Sequence, residues 1–336
     1  MRYSSHRGME EEGRAVHEWR RQIQVIVDEI DASIRAHRDE ALTLRSLARR
    51  LGYSEYHMTR KFREISGYSL RDYLRRRRLA FALVEVRDSD RGLLDIALDY
   101  GFSSHEAFTR AFRGVYGVTP SAYRRQPRPV VLRTKLFPFD PYFLGIGEKH
   151  AMPSKGDIKV YFVTIPAHRF LHIRDYGSNG YWEFWQRQKE IPGHDWDTVC
   201  GLLDSVKGKL DDLGGSDSNS GAGQIMAYLH DPAGKPFCYG IPRAECYGVR
   251  LPADWEGEVP PLALLDVPEG EYIVFEHGPF DYDTENRAVE EKIENAMASF
   301  DFTGTGYCFD DSPGRIAYLY HDPERFWKEV RPIRRV

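Results

Sequence analysis

At 336 residues, with 41% hydrophobic and 29% charged residues, the chain is too long for one ordinary core and reads as two or three water-soluble domains. No run of 18 apolar residues is present to span a bilayer, and the four cysteines (Cys200, Cys238, Cys246, Cys308) have neither CxxC nor Cys/His spacing, which argues against a zinc site. The net charge of −4 conceals an asymmetry: residues 1–135 carry 27 Lys and Arg against 18 Asp and Glu, and the remainder 20 against 33. A basic half joined to an acidic half implies different partners, the basic one suited to phosphate backbones.

The first residues, MRYSSHRGMEEEGRAVHEW, lack the apolar core of a signal peptide, so a cytoplasmic protein is expected, with thiols kept reduced. A helix follows over about 18–38, with Trp19, Ile23, Ile26, Val27, Ile30 and Ile34 on one side. Then the chain repeats itself. LARRLGYS at 47–54 recurs as IALDYGFS at 96–103, an offset of 49. After one inserted residue, MTRKF at 58–62 is answered by FTRAF at 108–112, Gly67 by Gly117 and Tyr73 by Tyr123, at an offset of 50.

Each copy reads as helix, tight turn, helix. Leu44, Leu47, Ala48 and Leu51 share one face, as do Ile96, Ala97 and Tyr100; Gly52 and Gly101 follow, where a left-handed residue ends a helix. Ser54 and Ser103 are the expected N-caps of the second helices, with Ser103-x-x-Glu106 as a capping box. Met58, Phe62 and Ile65, then Phe108, Phe112 and Val115, form the buried stripes. Between the copies a helix opens at Ser69-x-x-Asp72, runs to about Asp88, and turns Leu74, Leu79, Ala82 and Leu83 inward. Thr119-Pro120 opens a last short helix.

These residues, over 42–125, resemble the DNA-binding domain of the AraC/XylS regulators. The resemblance implies an all-α, double helix-turn-helix domain over 15–125 that reads an operator in double-stranded DNA, with RNA polymerase as a further partner. Subtracting the buried stripes leaves Tyr56, Thr59, Arg60 and Arg63 outward in the first copy, and His105, Glu106, Thr109, Arg110 and Arg113 in the second. Arg forks guanine, His and Glu meet base edges, and Tyr or Thr meets a thymine methyl or a phosphate. Glu106 has two readings, a cytosine contact or a cap of its own helix. The four arginines 75–78 spray around their helix, so that one or two phosphate contacts, or a solvated face, are expected of them.

Residues 126–135, QPRPVVLRTK, open an expected linker over 126–158. Beyond it the period shortens. VTIPAHRFLHIRDYG at 163–177 aligns with LDVPEGEYIVFEHGP at 265–279, an offset of 102. Each copy reads as strand, Pro-containing turn, strand, helix; the helices fall at about 179–191 and 283–299, and further strands at 224–229, 237–250 and 315–320. The Gly, Ser and Asp of 213–223 read as a flexible loop. This is a duplicated α+β domain over 159–336 with antiparallel sheet.

The pieces VPEGEYIVFEHGPF (267–280), FCYGIP (237–242) and the closing Phe326 and VRPI (330–333) resemble the gyrase-inhibitor-like effector-binding domains. The resemblance implies a cleft between the halves, lined with aromatics and an acidic residue, for a small cationic or aromatic effector. Thirty of the 201 residues after 135 are aromatic, and the segment is acidic, which fits. Tyr176, Trp182, Trp185, Tyr228, Tyr239, Glu245 and Glu276 are the lining candidates, with Glu276 first among the carboxylates. Core packing accounts equally for the aromatics, and a solvent-facing strand for Glu276. A sensor rather than an enzyme is expected: no Ser/His/Asp set, phosphate loop, metal cluster or cofactor motif stands in the sequence. The same resemblance leaves two rival readings, a hydrolase using a Glu and a Tyr in the cleft, or a module for protein contact alone.

Overall fold

A computed structural model describes residues 4–37, 43–50, 52–133, 135, 136, 138, 139, 158–210, 223–236 and 241–336. The chain divides into two compact units, Met1–Asp140 and Pro141–Val336.

The first unit is all helical: α1 (Ser4–Arg35), α2 (Leu44–Arg50), α3 (Glu55–Ser66), α4 (Leu70–Asp88), α5 (Leu93–Asp99), α6 (His105–Tyr116) and α7 (Pro120–Arg125). The pairs α2–α3 and α5–α6 are the two expected copies, and α1 starts well before the expected position. Gly52 and Gly101 take φ of 73° and 72°. Tyr53 N donates to Ala48 O at 3.0 Å and Phe102 N to Ala97 O at 2.9 Å, the six-to-one bond that closes a left-handed helix end. One core joins everything: Ile23, Ile26, Val27 and Ile30 of α1 pack with Met58 and Phe62 of α3, Leu79 and Leu83 of α4, and Phe108 and Phe112 of α6. Each such side chain contributes about 1.5–3 kcal/mol. Leu51 and the side chain of Leu44 lie outside the described residues.

The connecting helix α4 is buried nearly all round, at Leu70, Tyr73, Arg77, Leu79, Ala80, Phe81, Ala82, Leu83, Val86 and Arg87. This corrects the reading of the arginine run. Arg77 is 1% exposed and makes a two-pronged bond to Asp31 of α1, 2.9 Å from Nε to Oδ1 and 2.6 Å from Nη2 to Oδ2. Arg75 and Arg76 both bond Asp72. A guanidinium enters a core only when its charge and its N–H groups are met there, and Asp31 meets them.

The expected linker is corrected at its beginning. Leu132 is 2% exposed, and Val130 and Leu136 pack on the helical core. Arg133 lies over the Tyr68 ring at 4.3 Å, and Leu136 N donates to Tyr73 Oη at 3.3 Å. Apolar residues alternating with arginine, which lowered the helical signal, suit an extended strap across a helical core. Residues 140–157 of the expected linker lie outside the described residues.

Among the described residues the second unit is one antiparallel sheet with three helices. Its elements are β1 (Lys159–Ile165), β2 (His168–Asp175), α8 (Tyr181–Gln188), α9 (Trp196–Ser205), β3 (Gln224–Pro236), β4 (Pro242–Pro252), β5 (Ala263–Val267), β6 (Gly270–His277), α10 (Tyr282–Ser299), β7 (Tyr307–Phe309), β8 (Ile316–Asp322) and β9 (Phe326–Arg335). Both expected helices are present, and α9, capped by Asp195, is an addition. The strand order is β1-β6-β9-β8-β3-β4-β2-β5, with β7 on β9. The two sequence copies therefore exchange their first strands: β1 pairs with β6 of the second copy, and β5 with β2 of the first.

The helices share one face. Leu171, Ile173, Trp185, Val199, Leu203, Met226 and Tyr247 pack around α8 and α9, and Ile273, Phe275, Val289, Ile293 and Trp327 around α10. The opposite face buries Phe170, Ala227, Cys246, Tyr272, Val274, Tyr318 and Val330 on itself. Phe170 and Tyr318 stand three strands apart, roughly 14 Å on a flat sheet, yet their ring centroids are 5.7 Å apart. The sheet curls, and its inner side chains converge.

Candidate functional site: paired helices and a two-faced sheet

Helices α3 and α6 have twelve residues each and matching ends. Ser54 Oγ accepts from His57 N at 3.3 Å; its counterpart is Ser104, accepting from Ala107 N at 3.2 Å, and not Ser103. The residue inserted between the repeats falls in this turn, so the cap follows the offset of the second helix rather than that of the first. Gly67 and Gly117 close both helices.

Burial of Met58 and Phe62, and of Phe108, Phe112 and Tyr116, turns the opposite faces outward. Tyr56 is 79% exposed. Arg60, Arg63, Glu106, Arg110 and Arg113 are exposed, while Thr59, His105 and Thr109 are half-buried. Thr59 Oγ1 donates to Glu55 O at 2.8 Å, leaving its methyl for outside contact. A hydrogen bond from Ser104 lowers the Glu106 carboxyl below its usual range. Arg60, Arg63, Arg110 and Arg113 form no ion pair among the described residues, unlike Arg75, Arg76 and Arg77. Four guanidinium groups thus stand on two matched helices without ion pairs among the described residues.

In the second unit Trp185, Tyr228 and Glu245 belong to the helix-bearing face, Tyr228 and Glu245 being direct cross-strand partners, whereas Glu276 belongs to the other face. Trp185 is core, with its ring 4.7 Å from Trp196 and 5.0 Å from Tyr247. Trp182 and Tyr176 are surface residues, 37% and 39% exposed, and Tyr176 Oη donates to Asp231 at 3.2 Å. Tyr228 lies under the Arg243 guanidinium at 3.7 Å. Glu245, 1% exposed, accepts from Gly180 N at 2.8 Å, at the entrance to α8. Glu276 stands on the inner face, accepting from Tyr161 Oη at 2.7 Å with Lys159 and Lys328 each at 3.4 Å. Those partners, Tyr161 and Lys328 among them, hold its carboxyl below the usual range against the opposing effect of burial. Glu245 and Glu276 thus point to opposite faces, since strand neighbours alternate. Tyr239 and residues 213–222 of the expected loop lie outside the described residues.

A carboxyl outside the candidate set stands on the helix-bearing face. Across the four central strands, Tyr247, Met226, Leu319 and Glu329 are successive partners. Leu319 touches both the α8–α9 cluster and the α10 cluster, so this row marks the seam between the two halves. Burial pushes the Glu329 carboxyl up to about 7, against the opposing pull of Arg243 and Arg331. Its position just before the VRPI motif was the available signal; the register that sets it at the seam is tertiary. Among the described residues no group of three or more His, Cys, Asp or Glu could hold a metal, and no helix is long and apolar enough to cross a membrane.

The family described as a helix-turn-helix domain matches residues 47–126. The chain is 32% identical over 142 residues to the Right origin-binding protein of Escherichia coli K12, covering 42% of that protein and 42% of itself. It is 40% identical over 103 residues to Regulatory protein SoxS of the same strain, 31% of this chain and 96% of SoxS. Among solved structures, SAV2435 bound to tetraphenylphosphonium matches with a TM-score of 0.34 and 14% identity, over 52% of this chain and 94% of that one. With 96% of SoxS matched at 40% identity, and the helix-turn-helix family matching residues 47–126, the chain belongs to the AraC/XylS family of helix-turn-helix regulators.

Proposed function

We propose that the protein is a cytoplasmic, sequence-specific DNA-binding transcriptional regulator whose second unit senses a small molecule. The observation that carries the DNA reading is the matched pair α3 and α6, each presenting, opposite its buried stripe, two arginines without ion-pair partners among the described residues. Tyr56, Thr59, Arg60 and Arg63 read one major-groove segment, and His105, Glu106, Thr109, Arg110 and Arg113 the next. Because both copies grip one buried helix, α4, the segments lie about one turn, or 34 Å, apart on one face of the duplex. The operator need not be palindromic. Arg60→Ala and Arg110→Ala each cost about 1–3 kcal/mol on the specific site and relax selectivity at one base pair. Footprints and competition binding test this: a single short footprint, or variants that discriminate like the parent, overturns it.

For the effector, the seam row supports a site at Glu329 better than at Glu276, whose charge Lys159 and Lys328 already meet. A carboxyl raised to about 7 ionises as a cation arrives, so a lipophilic cation binds more tightly as pH rises from 6 to 8, and a neutral isostere does not. Calorimetric titration of the full chain with both compounds decides. Equal affinities, or a cation affinity untouched by Glu329→Gln, refute the site, and turnover of the compound replaces the sensor with an enzyme.

A further inference from the structure

Two buried cations, one on β4 and one on β9, stand on the inner face of the curled sheet. Arg250 of β4 is 5% exposed and Lys328 of β9 is 7% exposed. Alternation along β4 puts Arg250 on the same side as Ala244 and Cys246, and alternation along β9 puts Lys328 on the side of Val330, all three in the inner cluster. Arg250 has no carboxylate partner among the described residues. Its Nη1 donates to Tyr320 Oη at 3.2 Å, and its Nε is buried without a hydrogen-bond partner. Lys328 stands 3.4 Å from Glu276, but that carboxylate also serves Lys159 and Tyr161. Tyr320 links the two cations, because its hydroxyl takes the Arg250 hydrogen bond and its backbone partner across the ladder is Lys328.

Nearby groups do not supply the missing charge. His168 Nδ1 lies 2.8 Å from Pro166 O, which only accepts, so Nδ1 carries the hydrogen and Nε2 accepts from Tyr318 Oη at 2.6 Å. Burial holds His168 neutral, down to about 4. Tyr318 therefore spends its proton on His168, and its phenol remains neutral because burial raises it well above its ordinary value. A guanidinium taken out of water costs several kcal/mol unless a counter-charge and hydrogen bonds meet it. The Tyr318 ring lies 5.7 Å from the Arg250 guanidinium and the Phe326 ring 3.8 Å from Lys328 Nζ, which meets part of each charge, but the Tyr320 phenol oxygen meets only one of the Arg250 N–H groups and no carboxylate faces Arg250 among the described residues.

We propose that this inner face binds a phosphate group through Arg250 and Lys328, entering at the rim where Lys159 is exposed. A phosphate monoester carries about −1.5 to −2 charges at pH 7 with three acceptor oxygens, enough to serve both cations at once. The site is separate from the helix-bearing face and from the reading helices. It takes the opposite charge to the effector expected at the seam.

The test is thermal unfolding and calorimetry of the full chain in inorganic phosphate and in a simple phosphate monoester, against chloride at equal ionic strength. A saturable stabilisation by either phosphate, absent with chloride, is expected; response to both marks a site for the group, and response to the monoester alone a site for a phosphorylated metabolite. Arg250→Met keeps the volume and weakens binding at least about tenfold. Glu276→Gln removes the competing carboxylate and tightens binding several-fold, and it decides the matter if the Arg250 variant does not fold. No saturable response, a response unchanged in Arg250→Met (which would place the phosphate on the reading helices), or weaker binding in Glu276→Gln overturns the proposal.

Discussion

The two units both arise by doubling a pattern, but they assemble their copies in opposite ways. In the first, each copy closes on itself: α2 packs on α3 and α5 on α6, and the copies meet through the buried helix α4. In the second, each copy gives its first strand away, β1 to β6 and β5 to β2, so neither half is complete without the other. Helical hydrogen bonds are satisfied within a segment, so a helical repeat in sequence is also a repeat in space. Strand hydrogen bonds are satisfied by whichever strand lies alongside, and the sequence does not name that strand. The helical arrangement suits two reading heads held at fixed spacing, and the exchanged sheet suits a seam that both halves must build.

Cutting the chain breaks this comparison most severely. A fragment of 158–252 lacks both β6 and β5, leaving β1 without its partner and β2 with a bare edge. It should show no cooperative unfolding transition, while a 1–140 fragment, which keeps its whole core and strap, should melt as one unit. Calorimetry of both fragments checks this, and a cooperative melt from 158–252 would show that the exchange is dispensable.

Next in size is the ion pair that fastens α1 to α4. Asp31→Ala strands Arg77 in the core and should cost about 3–5 kcal/mol in urea unfolding of the first unit. Replacing both partners by apolar residues should restore most of that loss, because the cost lies in the unpaired charge. A double variant as unstable as the single would locate the loss in packing instead.

The seam gives a smaller, pH-dependent effect. The Glu329 carboxyl is raised from 4.5 to about 7 in the folded chain, so folding binds a proton between those values. Stability of the second unit therefore falls as pH rises from about 4.5 to about 7, and stays low above it. Glu329→Gln should flatten that slope, gaining about 1–3 kcal/mol over the parent at pH 8 and nothing at pH 4. Parallel unfolding curves at both pH values make the comparison, and a gain independent of pH would assign it to packing.

The smallest effect separates sequence repeat from spatial repeat within the helical unit. Ser104→Ala should cost about 1 kcal/mol and Ser103→Ala close to none, since only Ser104 Oγ caps α6. Equal losses in thermal unfolding would restore the cap to Ser103.

Much of the first unit was legible in advance. The apolar period, the glycines at 52 and 101 and the offset between copies place every helix from α2 to α7, and subtraction of the buried stripe leaves the outward residues of α3 and α6. The burial of Arg77 was not legible, because its partner lies 46 residues away on α1. The strap through Leu132 escaped for the same reason, as its partners Tyr68 and Tyr73 belong to another stretch of chain. In the second unit the aromatic content was plain, but Trp185 proved to be core and Glu276 an inner-face residue.

By itself, then, the sequence determined the helices from α2 to α7, where the first repeat is punctuated, and which faces of α3 and α6 turn away from the core. Those features depend on neighbours within a few residues, through periodicity, capping and turn geometry. Tertiary structure alone decided that Arg77 is a core cation, that the sheet halves exchange strands, that Glu245 and Glu276 face opposite ways, and that Glu329 sits at the seam. Strand register sets the face of every strand side chain, and a carboxylate's charge state follows from its desolvation and its partners, which the fold brings from distant parts of the chain.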